Sequence, residues 1–99
     1  MFTVASPRIV VTVTAGEGWT TLSIAQSFLY HLFVKATTSS TVFDVEIENV
    51  DEDIIYSRTD NDGELNEQLR LPVARNVTLY IKNSTADEDF VVIPSVQDG

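Results

Sequence analysis

Residues 42–48 read Val42-Phe43-Asp44-Val45-Glu46-Ile47-Glu48, an unbroken alternation of apolar and acidic side chains from Phe43 onward. Successive side chains of an extended strand point to opposite faces, so the stretch puts Phe43, Val45 and Ile47 on one side and Asp44, Glu46 and Glu48 on the other. A helix would scatter the three apolar residues around its circumference. Only a strand with one buried and one wet face uses this pattern. Residues 77–82 repeat it, with Val77, Leu79 and Ile81 set against Thr78, Tyr80 and Lys82.

The rest of the chain follows outward from these two strands. Arg8 to Thr14 is β-branched and extended, and Trp19 to Ala25 alternates through Leu22 and Ile24. Ile54 to Arg58 and Phe90 to Ile93 read as short strands, and Glu64 to Leu71 carries Leu65, Leu69 and Leu71 at odd positions. Ser27 to Ala36 differs because both faces are apolar, with Phe28, Tyr30, Leu32 and Val34 on one and Leu29, His31 and Phe33 on the other. That predicts either a central strand covered on both sides or a strand whose second face meets another subunit; a short helix over 21–33 is the competing reading. Gly16-Glu17-Gly18, 37–40, 49–53, Asp60-Asn61-Asp62-Gly63, 72–76 and 83–89 supply turn residues between the strands. About eight short strands with no crossover helix predict an all-β, antiparallel β-sandwich, jelly-roll or immunoglobulin-like. Residues 8–93 form the single domain, with an N-terminal arm at 1–7 and a C-terminal tail at 94–99. Pro7 and Pro94 mark where pairing is expected to stop.

Composition narrows the functional classes. The chain has 99 residues, 15 acidic and 6 basic side chains and no cysteine. A disulfide framework, a thiolate metal site and a cysteine nucleophile are therefore excluded. The charge is uneven: residues 1–43 sum to +1 and residues 44–99 to −10. A net charge of −9 with no basic stripe opposes binding to phosphate backbones, so no nucleic-acid partner is expected. The longest apolar run, Phe28 to Val34, falls far short of the roughly 20 residues that span a bilayer, so no membrane partner is expected either. The first residues lack the charged, apolar and small-residue regions of a secretory leader, and the protein is expected to stay where it is made.

Candidate chemistry is sparse. His31 is the only histidine and sits within the apolar strand with no glycine-rich elbow near it, which argues against a hydrolytic triad. Asp60-Asn61-Asp62-Gly63-Glu64 alternates carboxylates through a turn, so Asp60, Asp62 and Glu64 are weak candidates for a calcium site. The EF-hand spacing fails, because with Asp60 and Asp62 at its third and fifth positions the first and twelfth would be Arg58 and Leu69. Asp51-Glu52-Asp53 and Asp87-Glu88-Asp89 would join such a site only if their loops met at one end of the sandwich. Trp19 follows a Gly-Glu-Gly turn and reads as closing one end of the core; exposed instead, it would join Tyr30, Tyr56 and Tyr80 as a sugar-stacking platform. Neither a phosphate-binding loop nor a dinucleotide fingerprint is present. No catalytic residue, cofactor or required metal is assigned.

The segments Thr41 to Ile47, Ile54 to Arg58 with the Asp62-Gly63 turn, and Asn76 to Asn83 together resemble small β-sandwich proteins of tailed-bacteriophage virions, over about residues 41–93. Within that group the chain is most similar to capsid cement or decoration proteins. The resemblance implies a non-enzymatic virion structural protein on the outer capsid surface, a homotrimer, with the major capsid protein or another virion protein as partner. Many copies of a −9 chain would be poorly tolerated against packaged DNA, which independently favours the outer surface. Phe2, Val4, Phe28, Leu29, Tyr30, His31, Leu32 and Phe33 are the expected contact residues. A tail or fibre sandwich is the nearest alternative, followed by a calcium-assisted carbohydrate-binding module.

Overall fold

The structure is a computed structural model that describes residues 3–5, 8–22, 27–73 and 76–98. Nine strands are present: β1 (Thr3–Ala5), β2 (Ile9–Thr12), β3 (Gly18–Leu22), β4 (Ser27–Ala36), β5 (Val42–Glu48), β6 (Ile54–Asp62), β7 (Glu64–Val73), β8 (Val77–Lys82) and β9 (Asp89–Asp98). One sheet runs β1-β9-β4-β7 with β2 also paired to β9, and the other runs β3-β8-β5-β6; every pairing is antiparallel. Because β1 and β2 lie end to end along one edge of β9, each sheet has four strand positions. This is the order of a jelly roll, in which strands from two Greek keys alternate between the sheets. Among the described residues no helix interrupts the strands, and Ser27–Ala36 is strand β4 rather than part of a helix.

The alternation that identifies β5 and β8 is realised in full. Phe43, Val45, Ile47, Val77, Leu79 and Ile81 are buried, while their neighbours along the chain face outward. They meet Leu29, Leu32, Val34, Leu65, Phe90 and Val92 of the other sheet. Phe43 and Phe90 pack edge to face across the two layers with centroids 4.9 Å apart. The molecule measures 37 × 27 × 19 Å, the thin dimension being that of two packed sheets.

Several boundaries differ from expectation. The arm and tail are partly absorbed into the sheet: Thr3, Val4 and Ala5 pair with Gln97, Val96 and Ser95. Pairing does not stop at Pro94, which lies opposite Leu32 within β9. It falls between the Ile9–Val92 and Ala5–Ser95 pairs, so its missing N–H interrupts no described pair on that edge. The Asp62-Gly63 turn does not join neighbouring strands either. It carries the chain from the edge of one sheet to the edge of the other, β6 to β7. Gly63 has a φ of 79°, donates to the Thr41 carbonyl and accepts from Ala36 N–H, and a Cβ there would collide with the Ser39 carbonyl oxygen. That corner demands glycine on two independent grounds.

Strand β4 carries the most consequential departure. Its register shifts between Leu29 and His31 on both sides: against β9 Tyr30 is an extra residue between the Leu29–Val96 and His31–Ser95 pairs, and against β7 it faces two residues, Leu69 and Arg70. The extra residue reverses the alternation. Leu29 joins Leu32 and Val34 inside, each with no exposed surface, while Phe28 shares the outer side with His31, Phe33 and Lys35.

Candidate functional site

The sandwich has two outer faces of unlike chemistry. The outer face of the five-stranded sheet is centred on β4 and β9, where Phe33 lies beside Ile93, and Lys35 beside Val91 and, beyond it, Val10 on β2. Val10 is 52% exposed. Phe28, Phe33, Val91 and Ile93 are half-buried by their neighbours on the face, and no other element of the described chain covers them. Polar groups along β7 rim this patch. Arg70 lies over the Phe28 ring at 4.6 Å, Gln68 donates to the Tyr30 hydroxyl at 3.2 Å, and His31 Nε2 is 2.6 Å from Asn66 Oδ1. His31 is thus a hydrogen-bonded residue of an exposed face; Ser95 stands opposite it on β9, and the one side-chain hydrogen bond described for the ring is to Asn66.

The expected contact set divides on this geometry. Phe28, Tyr30, His31 and Phe33 do reach the outer face. Leu29 and Leu32 do not, because the bulge turns one inward and the other belongs to the core; both are removed from the set. Phe2 lies outside the described residues, and of Val4 only the backbone, paired with Val96, is described.

The outer face of the four-stranded sheet is polar, with an aromatic pair at its edge. Trp19 on β3 is 63% exposed, so it does not close the core as expected. Period two puts it outside, since Gly18 and Leu22, its neighbours on either side of the β3 segment, are buried. Gly18 packs so closely on Thr12 and Val11 of β2 that no side chain fits there, which leaves the next residue to project outward. Trp19 stands opposite Tyr80, and the row continues through Glu46 and Ser57; Thr21, Thr78 and Glu48 form the row beside it. Lys82 Nζ sits 2.7 Å from Glu46 Oε1 and 5.0 Å above the Tyr80 ring. The hydrogen bond to Glu46, with the fields of Glu17 and Glu48 added, holds the Lys82 ammonium above its ordinary pKa. Tyr30 and Tyr56 are not part of this platform.

The carboxylates proposed for calcium are spent or dispersed. Asp60, Asp62 and Glu64 are all exposed and straddle the corner between the sheets. Asp60 has a φ of 56° where two residues of β6 oppose one of β5, and its N–H donates to Asp44 Oδ1 at 2.8 Å. The 51–53 loop caps the far end of β6, away from residues 60–64, and its turn is closed by Asn49 Oδ1 accepting from the Asp51 and Asp53 N–H groups. Asp87 accepts from the Ala15 and Gly16 N–H groups, and Glu88 from Thr38 N–H and the Thr41 hydroxyl. These acids tie three loops together, and the bonds from Thr38 pull the Glu88 pKa down. Among the described residues no group of three or more histidine or acidic side chains is placed to hold a metal ion.

One cluster escaped the sequence reading. Tyr56 and Arg58 of β6 both reach Glu67 of β7 across the open edge of the sandwich, with Tyr56 Oη donating to Oε1 at 2.6 Å and Arg58 Nε to Oε2 at 3.0 Å. Burial first, and then the bond to Glu67, push the Tyr56 phenol well above its usual pKa; Glu67 is lowered chiefly by the same bond. Strand alternation hinted at it, since Tyr56 and Glu67 occupy inward positions, but nothing local pairs them.

No family model matches the chain and no curated protein sequence matches it. Among solved structures it is similar to the lectin domain of lectinolysin in complex with Lewis B antigen, with a TM-score of 0.56 and 12% identity over 93% of this chain and 72% of that one. The carbohydrate-binding module CBM36 in complex with calcium and xylotriose gives a TM-score of 0.43 at 7% identity, covering 98% of each chain. A structure of infectious bursal disease virus, Gx strain, also gives 0.43, at 10% identity over 96% of this chain and 30% of that one. The first of these likenesses supports the β-sandwich fold. Lectins and viral capsids alike use jelly rolls, so the fold leaves the function to be argued from the two faces.

Proposed function

We propose that the protein is a non-enzymatic structural component of a virion, of the capsid cement or decoration kind, that assembles as a trimer through the outer face of its five-stranded sheet. The carrying observation is the uncovered apolar patch of Phe28, Phe33, Val91, Ile93 and Val10. Charge favours this face over the others for self-association. Two chains of net charge −9 repel each other, and they approach at least cost where acids are fewest. The central strands of this face carry Lys35 and His31 and, among the described side chains, a carboxylate only at the Asp89 end of β9; at the β7 rim Arg70 is set against Glu64. Burying a Phe at such a patch contributes about 1.5–3 kcal/mol per copy, and a closed ring repeats that contact with every copy. The trimer would then sit on the outer capsid surface, its acidic faces turned to solvent and its contacts with the major capsid protein multiplied by avidity.

Light scattering tests the reading. Three chains of 11.0 kDa, about 33 kDa in all, are expected, with Phe33→Glu giving a folded monomer. Binding of the trimer to expanded capsids, and not to isolated tails, separates the capsid from the tail or fibre location. A wild-type monomer at high concentration that binds neither particle overturns the proposal.

A further inference from the structure

We infer that the outer face of the four-stranded sheet is a second binding site, in which Trp19 stacks the ring of a neutral glycan while Glu46, Glu48, Lys82 held over Tyr80, and the Thr21 and Thr78 hydroxyls bind its hydroxyl groups. Trp19 is the most exposed of the large apolar side chains among the described residues, yet it belongs to a regular strand whose five residues are all in register with β8. Its exposure is therefore held by the scaffold, as a preorganised stacking surface requires. Neighbouring strands stand about 4.8 Å apart, which is close to the width of a pyranose ring, so in the Trp19-Tyr80-Glu46 row the Lys82 ammonium over Tyr80 lies about one ring-sized step from Trp19 and Glu46 two. A sugar presents an apolar C–H face bordered by hydroxyls that both donate and accept. The Lys82–Glu46 ion pair, clamped at 2.7 Å over Tyr80, supplies a fixed donor beside a fixed acceptor.

Charge selects the class of ligand. Glu17, Glu48 and Glu46 repel phosphates, uronates and sulfated chains, and a cationic peptide would have to displace Lys82 from Glu46 and the Tyr80 ring. An uncharged, hydroxyl-rich chain meets neither penalty. The site lies on the sheet opposite the proposed assembly face, so a particle bearing such trimers would present it outward.

Trp19 is the only tryptophan, so its emission reports directly on this face. Gluco-, xylo-, manno- and chito-hexasaccharides are titrated against the full-length protein, with hexagalacturonate and a lysine-rich peptide in parallel. Binding of at least one neutral hexasaccharide is expected, with a shift in Trp19 emission and a millimolar or tighter Kd. By calorimetry, Trp19→Ala is expected to abolish that binding and Lys82→Met to weaken it about tenfold, with the native mass of both variants unchanged. Conversely, Phe33→Glu should leave glycan binding intact, which separates failure here from failure of the assembly reading. No response to any neutral glycan, a response to the peptide or the uronate alone, or binding undiminished in Trp19→Ala overturns the inference.

Discussion

Single residues decide where this chain turns and what it shows to solvent. Gly63→Ala imposes a left-handed φ on a side chain that has no room beside Ser39, and a loss of about 2–3 kcal/mol is expected in urea unfolding. Phe43 has no exposed surface and packs on Phe90, so Phe43→Ala is expected to cost about 3–5 kcal/mol, a large share of the stability of a domain this size. Both residues were legible as types, the first as a turn glycine and the second as a core position of an alternating strand. The direction of Trp19 was implicit in the same alternation, since period two turns it away from Leu22, but the reading of it as closing the core overrode that signal. The close contact of Gly18 with Thr12, which lies outside that local pattern, then fixes it.

At the scale of elements, the bulge in β4 and the bridge between β6 and β7 matter most. The bulge converts a strand that reads as apolar on both sides into one with a buried row and a separate outer row, so the proposed assembly face owes its composition to one residue of β4 that is extra against β9. The β6–β7 bridge closes the open edge of the sandwich through Glu67, whose pKa in the folded protein lies below its ordinary value. A carboxylate lowered in this way contributes stability above its unfolded pKa of about 4.3 and loses that contribution as pH falls through the folded value. Glu67→Gln is expected to cost about 1 kcal/mol at pH 7 and progressively less below pH ~4, where the wild type loses the same interaction; urea melts across that range give the difference. A difference that stayed constant with pH would show that the charge on Glu67 has no part in the bridge. Tyr56→Phe keeps the ring and loses the donor, and is expected to cost a similar amount at neutral pH.

For the whole molecule, the governing quantity is net charge against apolar area. Copies carrying −9 each repel over a distance that salt shortens, to about 8 Å at physiological ionic strength and about 3 Å at 1 M. Self-association is therefore expected to tighten with salt, measured as a lower dissociation midpoint by light scattering; weakening with salt would point to ion pairs instead of the Phe33 patch as the source of the contact. The number of strands, their alternation, the sandwich and the acidic character of β5 were determined by the sequence itself, because period two and turn residues act between neighbours along the chain. Tertiary structure alone decided that Asp87 caps Gly16, that Glu67 holds Tyr56, that the calcium candidates are parted, that Leu29 faces inward and that Trp19 faces Tyr80. Those outcomes turn on strand register and on contacts between residues far apart in the chain, and the energy that selects them exists only once two sheets close over one core.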